Sequence, residues 1–433
     1  MNAFARPWLA RYSLARRALQ ARMAALLGAV LLGLVAIVFA KVGDWSQHSF
    51  AHAFSAHPLL TAASTPFAFA LVVAMTRRWF PEARGSGIPQ VMAVVHHPSS
   101  GVKSPLISLL TAVAKLGCTL LMLLGGGAVG REGPSVQVSA ALMVAVHRWL
   151  RVPINAGVII AGGAAGVAAA FNTPLAGVAF AIEELAAAFE QKVAVMVMAA
   201  VMISGLGSLG IAGDYVYFGM MTRHLAIRDI AILAPVMGVL GGLTGGAFSR
   251  ALGAMATATS GPMVFVRRHP VKFAFACGMV VATLGLVSGG ITWGTGYETT
   301  RDLLSGGKAS LLFGPARFVS TLATALSGAP GGIFAPSLSV GAGLGQLVSH
   351  FFADEPSGAI VLLGVAAYFT SVVRAPLTAV IIVMEMTADR AMILPLFIAA
   401  LIADWVSSKV CAAKLYHTLA QGFRTADIQA STE

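Results

Sequence analysis

The chain has 433 residues, 57% hydrophobic and only 11% charged, with a mean hydropathy of +0.82. Those figures exclude a soluble globular enzyme and a disordered chain, and describe an all-α polytopic protein of a lipid bilayer. The net charge of +12 gathers into no run that would track a nucleic acid, so it reads as membrane topology.

Residues 1–22 carry Arg6, Arg11, Arg16, Arg17 and Arg22 and no acid. They predict a cytoplasmic basic helix lying on the membrane. No signal-peptide cleavage is expected, because the following stretch is long enough to stay as a span. A first span is predicted over 23–41, an external loop from Lys41 to His57, and a second span over about 60–76. Arg77, Arg78 and Arg84 then return the chain to the cytoplasm. Gly85-Ser86-Gly87-Ile88-Pro89-Gln90 follows. Two glycines and a proline cannot sit mid-helix, so this is a tight loop feeding a helix from about 89. A serine hydroxyl between glycines is also a good anion donor. His96 and His97 are loop residues, and no histidine has metal-ligand spacing.

Residues 105–125 are apolar, interrupted by Lys115. Gly130-Arg131-Glu132-Gly133-Pro134 comes next, inside more than twenty otherwise apolar residues. An ionisable group at membrane depth is costly and reads as functional. Glycines and a proline there break a helix and free backbone N–H groups, which attract anions. Glu132 thus places a carboxylate where an anion would bind. A short helix is expected from about 134 to 147 and a glycine-rich, closely packing segment over 154–170. Phe171-Asn172-Thr173-Pro174 is a break, and the next helix ends at Glu183-Glu184. Adjacent helix positions lie about 100° apart, so these two carboxylates face different ways. Further apolar segments occupy about 193–211, 231–255, 272–288, 309–327, 336–351, 358–372, 376–387 and 391–410. The tail from Lys414 is short and polar, and no regulatory domain is expected after it. Cys118, Cys277 and Cys411 are scattered, with neither metal nor disulfide spacing. No metal or cofactor is expected.

The chain matches itself without gaps at an offset of 202. Gly130, Pro134, Ser135, Val138, Ala140 and Leu142 meet identical residues at Gly332, Pro336, Ser337, Val340, Ala342 and Leu344. Pro174, Leu175, Val178 and Glu183 meet Pro376, Leu377, Val380 and Glu385, and Lys115 meets Arg317. Two homologous halves follow, a first membrane repeat over 23–215 and a second over 216–413, with 414–433 as a cytoplasmic tail. Each half carries a broken helix that opens on glycine and reaches proline. Glu132 occupies the first break, and Phe334 takes its place in Gly332-Ile333-Phe334-Ala335-Pro336. Transporters built this way hold substrate at the midplane between helix N-termini.

Gly-Ser-Gly-Ile-Pro at 85–89, Gly-Arg-Glu-Gly-Pro at 130–134 and Gly-Ile-Phe-Ala-Pro at 332–336 resemble the three signatures of the CLC chloride channels and transporters, in order and spacing. The resemblance covers about residues 25–420. It implies two inverted-topology repeats with broken and re-entrant helices. It also implies a homodimer with one anion pathway per subunit, in a bacterial inner membrane with both termini cytoplasmic. By resemblance, Ser86 and Tyr416 hold the central chloride with their hydroxyls, Gly87 belongs to the same loop, and the Ile333 and Phe334 amides add donors. Gly85, Pro89, Gly130, Gly133, Pro134, Gly332 and Pro336 shape the anion loops. Arg131 contributes structure or local potential. Glu132 matches the gating glutamate, and Glu184 the internal glutamate of proton-coupled members. Gln90 departs from the acid of many bacterial members, and the CBS domains of many eukaryotic members are not expected.

The expected activity is exchange of chloride for protons, and the protein is not expected to be an enzyme. The alternative is a passive chloride channel on the same scaffold. A fluoride exporter fits Ser86 and Tyr416 less well. An intramembrane hydrolase using Ser86 would need a base at depth that no histidine supplies.

Overall fold

Five helices among the described residues are long and apolar enough to cross a bilayer, while five more apolar helices, of 10–17 residues, are too short to do so alone. That mixture marks a membrane protein whose helices begin and end inside the bilayer. The computed structural model describes residues 5–96, 104–185, 196–205, 217–219, 225–352, 354–389 and 391–432. Among these there is no named strand. The expected segment at 193–211 falls partly outside them.

The first half comprises α1 (Ala5–Ala56), α2 (Pro58–Trp79), α3 (Ile88–Val95), α4 (Leu109–Leu124), α5 (Glu132–Trp149), α6 (Ala156–Phe171) and α7 (Pro174–Phe180). A π-turn, Ala181–Leu185, continues α7, and α8 (Met196–Gly205) closes the half. The second half holds α9 (Ile227–Thr257), α10 (Pro262–Arg268), α11 (Pro270–Val287), α12 (Tyr297–Leu304), α13 (Phe313–Leu326) and α14 (Phe334–Ser349). It ends with α15 (Ser357–Val373), α16 (Pro376–Thr387), α17 (Ile393–Val410) and α18 (Leu415–Thr432). The most extensive helix pairs are α9 with α17, α14 with α15, α11 with α2, and α5 with α6.

One expectation is corrected. No loop separates Lys41 from His57. α1 is one helix from the basic N-terminal segment to Ala56, and the break comes only at His57-Pro58. Lys41 and Gln47 are good helix formers, and a helix already nucleated by its span extends through them and through the weaker Asp44 and His48. Three helices were also not foreseen: α10 and α12, both too short and too polar to register as spans, and α18, which lies in the stretch read as a polar tail.

The internal repeat appears as a pseudo-two-fold arrangement. Gly130 and Gly332, equivalent at the offset of 202, pair antiparallel and exchange both backbone hydrogen bonds, each 2.7 Å. Glu183 accepts from the Leu377 and Thr378 amides at the start of α16 (3.2 and 2.7 Å). Glu385 accepts from the Leu175 and Ala176 amides at the start of α7 (3.1 and 2.8 Å). These contacts are mutual, so the halves are related by rotation about one axis. Their break residues match too, since Asn172 and Arg374 both adopt left-handed backbone, φ +57° and +60°. Asn tolerates that conformation. Arg374 is held there by Asp404 at 2.5 Å and the Cys411 carbonyl at 3.2 Å.

Candidate functional site

The paired glycines bring the two broken helices tip to tip. α5 begins at Glu132 and α14 at Phe334, so the first amides of each lack an intrahelical acceptor. Glu132 is fully buried. Its carboxylate leaves its own helix and turns to the start of α14, where Oε2 accepts from the Ala335 amide at 3.4 Å. Oε1 accepts from the Tyr297 hydroxyl at 2.5 Å. A side chain at Gly130 would collide with this carboxylate, so glycine there makes its path possible. The Glu132 carboxylate therefore lies at a helix start, where the partial positive charge favours an anion.

Arg131 does not reach toward α14. Its guanidinium donates to Asp44 and the Ala40 carbonyl of α1, both at 2.7 Å, and to the Tyr217 hydroxyl. It is nearly buried while Asp44 is half exposed. It thus ties the first break to α1 and adds positive potential beside Glu132.

The Gly85–Pro89 loop approaches the same place from the other side. Gly87 caps α3 at φ +110°, and a Cβ there would stand 2.5 Å from the Gly133 carbonyl oxygen. Pro89 sits in the first turn of α3, where its missing N–H costs nothing. Gln90 donates to the Glu82 and Arg84 carbonyls at 3.1 and 2.6 Å, a donor role that a carboxylate could not fill. Buried Lys115 crosses from α4 and donates to the Ala83 and Gly85 carbonyls at 2.8 and 2.5 Å.

Ser86 and Tyr416 are both buried, and neither hydroxyl makes a hydrogen bond of normal geometry. They are nonetheless close enough to interact, and Tyr416 lies within the field of both Glu132 and Glu184. Tyr416 belongs to the first turn of α18, which turns back into the core after α17. Its ring lies 6.0 Å from Phe334. Phe334 in turn packs on Phe171, Phe180 and Phe369 at 6.1, 6.1 and 4.9 Å. The apolar residue that replaces Glu132 in the second repeat thus fills a ring cluster. Two buried hydroxyls facing one another beside helix starts are suited to an anion, which can accept from both.

Glu184 and Glu183 do separate, as the helix spacing predicts. Glu183 caps α16. Glu184 is buried and makes no hydrogen bond, and its oxygens lie 4.0 Å from Lys414 Nζ and 3.8 Å from His417 Nδ1. Those two side chains are partly exposed, so Glu184 sits one layer below the surface.

Two cavities open toward this centre. One, of about 470 Å³, is lined by Asp44, His48, Arg131, Tyr217, Tyr297 and Arg301, among others. The other, of about 280 Å³, is lined by Arg77, Arg84, Ser86, Arg267 and Ile333, among others. Burial, then neighbouring Arg77 and Arg267, pulls the Arg84 guanidinium below its ordinary range. Glu82 opposes that shift. A cluster of arginines around one mouth favours anion entry. Among the described residues no group of His, Cys, Asp and Glu could hold a metal ion.

The structure thus brings together Ser86, Gly87, Gly130, Glu132, Gly332, Ile333, Phe334 and Tyr416, with Glu184 behind Tyr416. Sequence reasoning missed Tyr297. A signal existed: Gly294-Thr295-Gly296 repeats Gly85-Ser86-Gly87, but at an offset of 209 rather than 202, so a fixed-offset comparison passes over it. The structural equivalence is direct. Arg317 donates to the Thr292, Trp293 and Gly294 carbonyls at 2.6, 3.2 and 2.8 Å, as Lys115 does to the loop at 83–85.

The family described as voltage gated chloride channel matches residues 68–408. Among solved structures, the chain resembles a slow cyanobacterial Cl⁻/H⁺ antiporter at 24% identity and a TM-score of 0.80, over 94% of this chain and 98% of that one. It resembles a eukaryotic CLC transporter at 21% identity and 0.75, over 94% and 75%. It resembles a CLC-type fluoride/proton antiporter at 23% identity and 0.73, over 92% and 96%. These likenesses show a shared fold.

Proposed function

Because the chain belongs to the voltage gated chloride channel family, we propose that it is a secondary transporter exchanging chloride for protons across a cell membrane. The observation that carries this reading is the pair of buried carboxylates, Glu132 at the start of α14 and Glu184 beside Lys414 and His417. A passive channel needs a pathway for chloride only. A second buried carboxylate, one layer below partly exposed Lys414 and His417, is the feature a proton route would add.

Chloride binds between the Ser86 and Tyr416 hydroxyls, near the start of α14 and the Ile333 and Phe334 amides. Ionised Glu132 occupies the neighbouring anion position at the Ala335 amide and excludes chloride from it. On protonation the carboxyl loses its attraction to the helix start and leaves, and chloride takes its place. Glu184 receives protons from the cytoplasm and passes them toward Glu132. The arginine-lined mouth at Arg77, Arg84 and Arg267 is cytoplasmic, and the Asp44 mouth is external. The family resemblance points to a homodimer with one pathway in each subunit.

In liposomes, Glu132→Ala retains chloride flux and loses chloride-driven proton movement. Glu184→Gln keeps chloride flux and loses most of its proton coupling. Intact proton pumping by Glu132→Ala removes Glu132 from the gate. A wild-type reversal potential that ignores an imposed pH gradient would identify the passive channel instead.

A further inference from the structure

We infer that Tyr297 is a positioning residue that latches the Glu132 carboxylate into the anion site and thereby slows transport; this rests on Glu132 acting as the gate. Three observations converge on it. First, the geometry is specific. The Tyr297 hydroxyl donates to Glu132 Oε1 at 2.5 Å, while the Ala335 amide approaches Oε2 at 3.4 Å. The hydroxyl is the shorter of the two contacts, and it comes from a side chain rather than from the helix start.

Second, Tyr297 is held in place. It opens α12 directly after Gly296, and the loop before it is pinned by the buried Arg317 through three carbonyls. Its ring is 4.7 Å from Tyr217 and 5.9 Å from Phe218, and the Arg131 guanidinium stands 5.9 Å from the ring centre. Swinging Tyr297 away would break these contacts, so the carboxylate has to leave the hydroxyl rather than carry it along.

Third, the chain supplies its own comparison. At the offset of 209 between the two glycine loops, Tyr297 is equivalent to Ile88. At the offset of 202 between the two breaks, Glu132 is equivalent to Phe334. The pseudo-two-fold thus relates Tyr297 and Glu132 to the positions of Ile88 and Phe334. Where the break holds a carboxylate, the facing loop holds a donor, and where the break holds a ring, the loop holds a hydrocarbon. A donor on that loop is matched to the carboxylate and is not demanded by the scaffold.

A hydroxyl donating to a carboxylate favours the ionised, seated form over the protonated, departed one. Removing it weakens the competitor of chloride without touching the chloride donors Ser86 and Tyr416.

The test is Tyr297→Phe, which keeps the ring contacts, on the full-length protein in liposomes. Chloride turnover should rise about tenfold and the half-saturating chloride concentration should fall, the size expected for one hydrogen bond to a charged group. Tyr297→Ile, which copies the first repeat, should shift both in the same directions. In a Glu132→Ala background, Tyr297→Phe should change neither. Turnover that stays level or falls overturns the latch, and so does equal acceleration in the Glu132→Ala background. Failure of the gate itself reads out separately, as proton coupling that survives in Glu132→Ala alone.

Discussion

Gly87 and Gly85 stand two residues apart with different demands on glycine. Gly87 holds φ at +110°, and a Cβ there would be 2.5 Å from a backbone oxygen of Gly133. Gly85 holds φ at +64°, with open space around the added atom. Gly87→Ala should destabilise the protein by about 3 kcal/mol or more, because strain and a backbone clash add. Gly85→Asn should lose less than about 1 kcal/mol, since Asn accepts left-handed backbone. Thermal unfolding in detergent measures both, and equal losses would contradict the close approach of the loop at 85–89 to the first break. Ser86 and Glu132 were legible at this scale because a hydroxyl between glycines and a carboxylate in an apolar run are both anomalies. Tyr297 was not, because a tyrosine in a polar loop is no anomaly until its partner is seen.

Helix starts are the working parts at the next scale. Each repeat sends a carboxylate across the axis to cap the other's helix, Glu183 onto α16 and Glu385 onto α7. Glu183→Ala and Glu385→Ala should each lower stability by about 1–2 kcal/mol, the usual loss for a helix cap, and leave proton coupling intact. Glu184→Gln should do the reverse, with little change in melting and a loss of coupling. Coupled flux alongside melting curves separates the two outcomes. If Glu183→Ala uncoupled transport while leaving stability unchanged, the roles of the neighbours would be exchanged. The breaks themselves were visible in the sequence, since glycine and proline leave few other options. The length of α1 was not. Polar residues after a span read as a loop, yet they continue a helix whose nucleation has already been met.

Across the whole molecule, the two mouths differ in charge. The cavity at Ser86 is ringed by Arg77, Arg84 and Arg267, while the cavity at Tyr297 mixes Arg131 and Arg301 with Asp44 and Glu298. The proposed topology puts the first in the cytoplasm. Single cysteines in a background lacking Cys118, Cys277 and Cys411 check this. His52→Cys should react with an impermeant thiol reagent in intact cells, and Arg268→Cys only after permeabilisation. Labelling of both from one side would overturn the topology.

The sequence by itself determined the membrane class, the helix breaks and the two repeats, and it singled out Ser86 and Glu132 as anomalies. Each of these is a local departure from an apolar helix or a match at a constant offset, and both survive in one dimension. Only the tertiary structure decided that Gly130 pairs with Gly332, that the Glu132 carboxylate reaches the Ala335 amide of the other half, and that Tyr297 donates to it. Those contacts join residues 165 to 203 positions apart. They depend on how the halves are oriented about their axis, which a match at constant offset does not carry, and Tyr297 also on a glycine loop that matches at 209 rather than 202.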